Sequence, residues 1–245
     1  MSKQILIYVF IFMMIFTLGC LDNSIEEPNE KDIISKFTEH QMSIRNYSGE
    51  LFTEPGTQSN LSEYCRVFIK YPGKFKAEYI SSYTRNNGTI SILNGSRLIE
   101  YDPLNNRTLV FETNPEGNSL TALDYQGLLK KIIPVGNISY LGVGFIDNKS
   151  TYILDIKPED PEETFNEKYS AYQISLAKVW VDPESWTAKK IELYGKEGLN
   201  PVVTVNYLNL TVNGEIQDNI FSSEQYLQYE ITTPPIHPPQ IFETG

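Results

Sequence analysis

The stretch from Lys70 to Pro103 limits the choice of fold most strongly, because it predicts consecutive antiparallel strands joined by tight turns. Apolar and charged side chains alternate from Lys74 to Tyr79, the period of two that marks a strand with one buried face. A second alternation ends in Asn94-Gly95, and this pair favours a β-hairpin because both turn residues need positive φ. The stretch therefore predicts a meander sheet with one apolar, aromatic-rich face.

Two segments carry apolar residues at helical spacing, and most of the remaining chain alternates as strands. The first predicted helix runs from Glu30 to about Ile44 with Asn29 as its N-cap, and the second runs from Ser119 to Ile133 with Ser119 as its own cap. With roughly ten strands beside them, this order predicts an α+β domain. Its simplest form is a single strongly curved antiparallel sheet, an unclosed half β-barrel, whose concave face is covered by the helices.

The N-terminal residues predict a targeting segment that lies outside the fold. Residues 5–18 are uncharged, but this run is shorter than the roughly 20 apolar residues that a spanning helix needs. Cys20 follows Leu18-Gly19 in a pattern similar to a lipobox, and the sequence turns polar and acidic directly after it. We predict a signal peptide over residues 1–19, lipidation of Cys20 and a tether over residues 20–30. An ordinary cleaved signal with a chance cysteine, or an uncleaved anchor, is the alternative.

Composition limits the partners and the compartment. The net charge of −11 argues against a nucleic-acid partner, which would require a basic face. If Cys20 is lipidated, Cys65 stands alone among the 2 cysteines, which excludes a disulfide scaffold and a cysteine-rich zinc site. The folded domain is predicted over residues 31–229, and residues 230–245 form a proline-rich tail without a core of its own.

Glycosylation sequons are more frequent than the roughly three that chance would give at ordinary Ser and Thr frequency. The predicted acceptors are Asn46, Asn60, Asn87, Asn94, Asn106, Asn137, Asn148 and Asn209. Dense N-glycosylation together with a lipid anchor favours the extracytoplasmic face of an archaeal cell membrane.

Motifs for catalysis are missing from the sequence. His40 lies on the first predicted helix and His237 lies in the tail, so neither has the spacing of a metal ligand. No nucleophile elbow, phosphate-binding loop or zinc-protease motif occurs. We therefore expect a binding protein that is not an enzyme and needs no cofactor.

The order of elements resembles the LolA/LolB/LppX family of lipoprotein carriers. The resemblance rests on Lys70–Tyr79, Asn94–Pro103, Val179–Tyr194 and Val212–Phe221, and it covers about residues 32–221. It implies an unclosed β-barrel whose mouth is covered by helices, and a concave cavity that binds acyl chains or other apolar ligands. In the family's LolA an arginine before the turn proline helps to latch the lid, whereas Tyr71 stands at that position here.

The resemblance implies two sets of site residues. The expected cavity lining is Phe75, Tyr79, Ile92, Leu98, Tyr101, Leu193 and Leu208. The expected lid residues are Ile33, Ile34, Phe37, Leu120, Leu123 and Leu128. The expected ligand is a lipid or a lipoprotein acyl chain, held by a protein attached to the membrane through its N-terminal lipid. The second hypothesis is a cell-surface sensor that uses the same fold to bind a membrane protein and moves no cargo.

Overall fold

The computed structural model describes residues 29–56, 62–83, 85–112, 123–161, 174–196, 198–228 and 230–232. These residues form two α-helices, α1 (Glu30–Ser43) and α2 (Tyr125–Ile132), and one sheet of twelve strands. The strands are β1 (Asn46–Pro55), β2 (Glu63–Lys70), β3 (Lys74–Ser81), β4 (Ile90–Asn94), β5 (Arg97–Asp102), β6 (Arg107–Glu112), β7 (Gly136–Ile146), β8 (Lys149–Pro158), β9 (Ile174–Val181), β10 (Ala188–Gly195), β11 (Pro201–Val212) and β12 (Glu230–Thr232).

The strand order across the sheet is β12-β6-β5-β4-β3-β2-β1-β11-β10-β9-β8-β7. Neighbouring strands are antiparallel except for β12, which runs parallel to β6 and extends the sheet into the predicted tail. The sheet is open, because β7 and β12 lie at opposite edges and do not pair with each other. The prediction of a curved half-barrel built from one antiparallel sheet is therefore confirmed.

The first helix follows the sequence prediction closely, and the second is shorter than predicted. Asn29 caps α1 as expected, since its side-chain oxygen accepts from the Lys31 amide at 3.1 Å. The cap of α2 is Asp124, and the helix begins at Tyr125. Ser119, the predicted cap, lies outside the described residues.

One hydrophobic core lies between the concave face of the sheet and the two helices. The helices contribute the buried side chains Ile33, Phe37, Leu128, Leu129 and Ile132. The strands contribute alternate residues, as expected for a sheet with a single face in the core. The buried residues of the strands in this core include Tyr47, Leu51, Cys65, Val67, Ile69, Phe75, Ala77, Tyr79, Leu93, Leu154, Ile156, Ala177, Val179, Ile191, Leu193, Val203, Val205 and Tyr207.

A second, smaller apolar layer covers the convex face of β3 to β6. The chain after β11 folds back over these strands and makes short 3₁₀ turns at Asp218–Phe221 and Glu224–Tyr226. Tyr226 stacks on Tyr101 with ring centroids 5.1 Å apart, and its carbonyl accepts from the Thr108 hydroxyl at 2.7 Å. Residues 213–228 therefore form a strap that buries the outer face of the β4–β6 meander.

Candidate ligand-binding site

Four of the predicted cavity residues lie at the concave core. Phe75, Tyr79 and Leu193 are buried there, and Leu98 is half-buried and packs against it. Phe75 and Tyr79 lie on β3, Leu98 lies on β5 and Leu193 lies on β10, and β1 and β11 separate β10 from β3 and β5 in the strand order of the sheet. The concave face therefore carries apolar residues on both sides of the central pair β1 and β11.

Ile92 and Tyr101 lie on the opposite, convex face, which corrects their assignment to the cavity. Ile92 is paired with Lys76, which points away from the helices because its neighbour Phe75 points towards them. Tyr101 is paired with Ile90, which lies on the same face of β4 as Ile92. Directly paired residues share a face of the sheet, so both side chains point away from the helices. The strap buries Ile92 and stacks on Tyr101, which explains why both are apolar.

Leu208 also lies on the convex side, where its residue is 41% exposed. It is paired with Glu50, whereas its neighbour Tyr207 is paired with the buried Leu51. A β-bulge in this ladder, with Asn209 at φ 54°, reverses the alternation along β11. Leu210 packs against the core as a result, although simple alternation would place it on the same face as Leu208.

The predicted lid residues within the described part of the chain lie at the helix–sheet interface. On α1, Ile33 and Phe37 are fully buried and Ile34 is half-buried against the core. Leu128 is buried on α2, and Leu123 is buried just before the cap of that helix. Leu120 lies outside the described residues.

Hydrogen bonds join α1 and α2 to each other. The Gln41 side-chain amide of α1 donates to the Gln126 carbonyl of α2 at 3.1 Å. The Lys130 ammonium of α2 donates to the Ile44 carbonyl, at the end of α1, at 2.6 Å. The second bond satisfies a carbonyl that the helix end leaves without an intrahelical partner, so the two helices cover the core as a pair.

A buried carboxylate fastens α2 to the sheet. Asp124 Oδ1 accepts from the hydroxyls of Tyr47 at 2.9 Å and Tyr71 at 2.8 Å, and from the Gly127 amide at 2.8 Å. Tyr47 comes from β1, and Tyr71 comes from the turn between β2 and β3. We call Tyr47, Tyr71 and Asp124 the Asp124 latch. Tyr71, the residue before the turn proline, is therefore bonded directly to the cap of α2.

The electrostatics keep both latch tyrosines in the form that donates hydrogen bonds. Burial, reinforced by the Asp124 carboxylate, raises the pKa of Tyr47 and of Tyr71 above the ordinary value for a phenol. The Lys130 ammonium lies 4.8 Å from the centre of the Tyr71 ring, and burial lowers the pKa of this lysine. Both hydroxyls therefore stay protonated at any physiological pH.

The β3–β5 end of the concave face carries a polar pair above its apolar floor. The Arg85 guanidinium lies 4.7 Å from the centre of the Tyr79 ring and pairs with Glu100 at 3.0 Å. Cys65 lies beneath the same region, and burial raises the pKa of its thiol to about 12. Such a thiol is protonated and unreactive at neutral pH, so Cys65 serves as a small core residue.

The sequons differ in accessibility. Asn87, Asn94, Asn106, Asn137, Asn148 and Asn209 are exposed. Asn46 is half-buried and its side-chain oxygen is inaccessible to solvent, which makes it the least suitable acceptor of this set. Asn60 and Cys20 lie outside the described residues.

The described residues offer neither a metal-binding cluster nor a membrane-spanning helix. No group of three His, Cys, Asp or Glu side chains in that part of the chain is arranged to hold a metal ion. No helix there is long and apolar enough to cross a membrane.

Comparison with known proteins gives one curated relative and several structural neighbours. No protein-family model matches the chain. An uncharacterized protein of Methanocaldococcus jannaschii is 26% identical over 222 residues, which span 89% of this chain and 57% of that protein. The chain thus matches little more than half the length of this relative.

Among solved structures, the chain is similar to an uncharacterized conserved protein of Thermus thermophilus, with a TM-score of 0.50 and 7% identity over 82% of this chain and 97% of that one. The lipoprotein LppX of Mycobacterium tuberculosis has a TM-score of 0.47 and 11% identity over 77% of this chain and 99% of LppX. The comparison with the Thermus protein shows a common fold, and at 7% identity it shows the fold alone.

Proposed function

We propose that this protein is a membrane-anchored, extracytoplasmic binding protein that takes an acyl chain or another apolar ligand onto the concave face of its half-barrel. The ligand enters when the lid pair α1 and α2 moves away from the sheet. The sequence resemblance to the LolA/LolB/LppX carriers supports this function. The net charge of −11, the exposed sequons and the apolar N-terminal segment support the extracytoplasmic location.

The observation that carries the proposal is the way in which the lid is fastened. The concave core is largely apolar, yet Asp124 at the start of α2 is bound by hydrogen bonds to Tyr47 of β1 and to Tyr71 of the β2–β3 turn. When α1 and α2 move away from the sheet, each of these hydrogen bonds is replaced by a hydrogen bond to water. The net cost of that exchange is only about 0.5–1.5 kcal/mol for each bond. The latch can therefore release at modest cost, and the apolar face that the lid uncovers would be covered again by the ligand.

A cell-surface module that binds a protein partner is the second candidate. The close packing of the concave face favours it, because the side chains of α1 and α2 already fill the described core. In that case the lid would stay closed, and the outer surfaces would carry the function.

Native mass spectrometry of protein purified from its own membranes tests the proposal. We expect a co-purifying lipid, released by organic extraction, and uptake of a fluorescent fatty acid by the extracted protein. The variant Tyr71→Phe removes one latch bond and should speed uptake about fivefold, as expected for the loss of about 1 kcal/mol. Tyr101→Phe, on the convex face, should leave the rate unchanged.

The absence of any co-purifying lipid, or no uptake of the fatty acid, would contradict lipid binding. Equal uptake rates for the two tyrosine variants would contradict entry beneath α1 and α2. A stoichiometric protein partner crosslinked in intact cells, found together with the first two outcomes, would establish the second candidate instead.

A further inference from the structure

The free edge of the sheet at β7 exposes large apolar side chains. Leu141 is 51% exposed, Val143 53% and Phe145 72%, and all three lie on this one strand. Scattered exposed apolar residues are ordinary, but neighbouring ones on one strand mark an interaction surface. We call Leu141, Val143 and Phe145 the β7 patch.

Aromatic side chains continue the β7 patch toward the concave face. Val143 is paired with Tyr152, which packs against the core, so both side chains lie on the concave side. Tyr152 stacks on Trp186 at 5.7 Å and meets Tyr140 edge-on at 6.0 Å. The Lys36 ammonium lies 5.4 Å from the centre of the Trp186 ring. Tryptophan, tyrosine and lysine beside apolar residues are the combination found where proteins meet the headgroup region of a membrane.

The N-terminal segment of the chain reaches the fold at this same edge. Glu30, the first residue of α1, accepts from the Tyr140 amide of β7 at 3.4 Å. The chain from Cys20 to Asn29 spans at most about 30 Å even when fully extended. A lipid on Cys20, or the apolar run of residues 5–18, would therefore hold the β7 edge close to the bilayer surface.

The backbone of β7 is poorly suited to the addition of a strand from another chain. The register shifts between Tyr140 and Gly142, with Leu141 as the extra residue, and Gly142 has φ 125°. A bulge of this kind interrupts the ladder that an added strand would need. The Tyr140 amide is also occupied by Glu30. The exposed side chains, rather than the backbone, are therefore available for contact.

We infer that the β7 patch, with Tyr140 and Trp186 beside it, docks on the surface of the lipid bilayer that the N-terminal segment enters. The inference rests on the anchored location in the proposed function. It adds that the domain is held in one orientation, with its β7 edge against the membrane.

Photolabelling of the full chain in phosphatidylcholine vesicles tests this orientation. The vesicles carry a phospholipid with a diazirine on its acyl chain, and mass spectrometry locates the adducts. Leu104, in the turn between β5 and β6, is the matched control, because it is 75% exposed, as much as Phe145. Since moving an aromatic side chain out of water changes an equilibrium by about tenfold or more, we expect labelling around Phe145 to exceed that around Leu104 about tenfold.

Variants separate docking from general lipid contact. Val143→Ser combined with Phe145→Ser should reduce labelling of β7 to the level of the control turn, whereas Leu104→Ser should change nothing. Equal labelling of the two regions in chains that float with the vesicles would overturn the inference, as would a crosslink between the β7 strands of two copies. Chains that do not float with the vesicles would instead contradict the anchored location. Labelling of α1 at Phe37 would report separately on lipid bound in the concave core.

Discussion

Asp124→Ala should lower the free energy of unfolding by about 3–5 kcal/mol, which we expect to be the largest loss from any single polar side chain of the lid. The substitution removes the acceptor of two tyrosine hydroxyls and of the Gly127 amide. Tyr47 is fully buried and cannot turn to water while the protein stays folded. Urea unfolding followed by circular dichroism measures the change.

Two controls distinguish the latch from an ordinary helix cap. Asp124→Asn keeps an acceptor oxygen and a good N-cap, so it should cost only about 1–2 kcal/mol. Asp102→Ala removes a half-buried turn carboxylate that accepts from the Asn86 side chain at 2.6 Å and from the Leu104 amide at 3.0 Å. It should cost only about 1–2 kcal/mol, because its donors can turn to water. A loss below about 1 kcal/mol for Asp124→Ala would show that the latch does not hold the lid.

Phe37→Ala should cost about 3–5 kcal/mol, because it removes a fully buried aromatic side chain between α1 and the sheet. The cost combines lost burial with the cavity that the surrounding side chains cannot fill. Met42→Ala, on the same helix at a position that is 44% exposed, should change stability by about 0.5 kcal/mol or less. Similar values for the two variants would mean that α1 is not packed on the concave face.

The sequence predicted the sheet well because its alternation and its turns are local signals. Phe75 and Tyr79 lie where their strand pattern placed them, on one face of β3. Alternation defines two faces but does not say which one the helices cover. Ile92 was assigned to the wrong face for this reason, since the strap that buries it comes from residues 213–228, which carry no strand or helix periodicity.

The error at Leu208 has a different cause. A single β-bulge reverses every later side chain on its strand, and nothing in the sequence around Asn209 requires one. The β7 patch was also not predicted, because an alternating apolar strand looks the same at the edge of a sheet as in its interior.

The Asp124 latch could not be predicted from spacing, because Tyr47 and Tyr71 lie 77 and 53 positions from Asp124. The family resemblance marks Tyr71 only as a position where this chain lacks the carrier's arginine, and it predicts no contact for the tyrosine. In the structure the Tyr71 hydroxyl donates to Asp124, the cap of α2, so the β2–β3 turn is bonded to that helix through a carboxylate.

Hydrogen–deuterium exchange of α2 with and without a bound long-chain fatty acid tests the central claim most directly. If the ligand takes the place of the lid, the amides from Gly127 to Ile132 should exchange about tenfold faster in the bound form, while those in the central strands β1 and β11 should be unchanged. Fatty acid that binds without altering exchange in α2, or that slows it, would contradict entry beneath the lid.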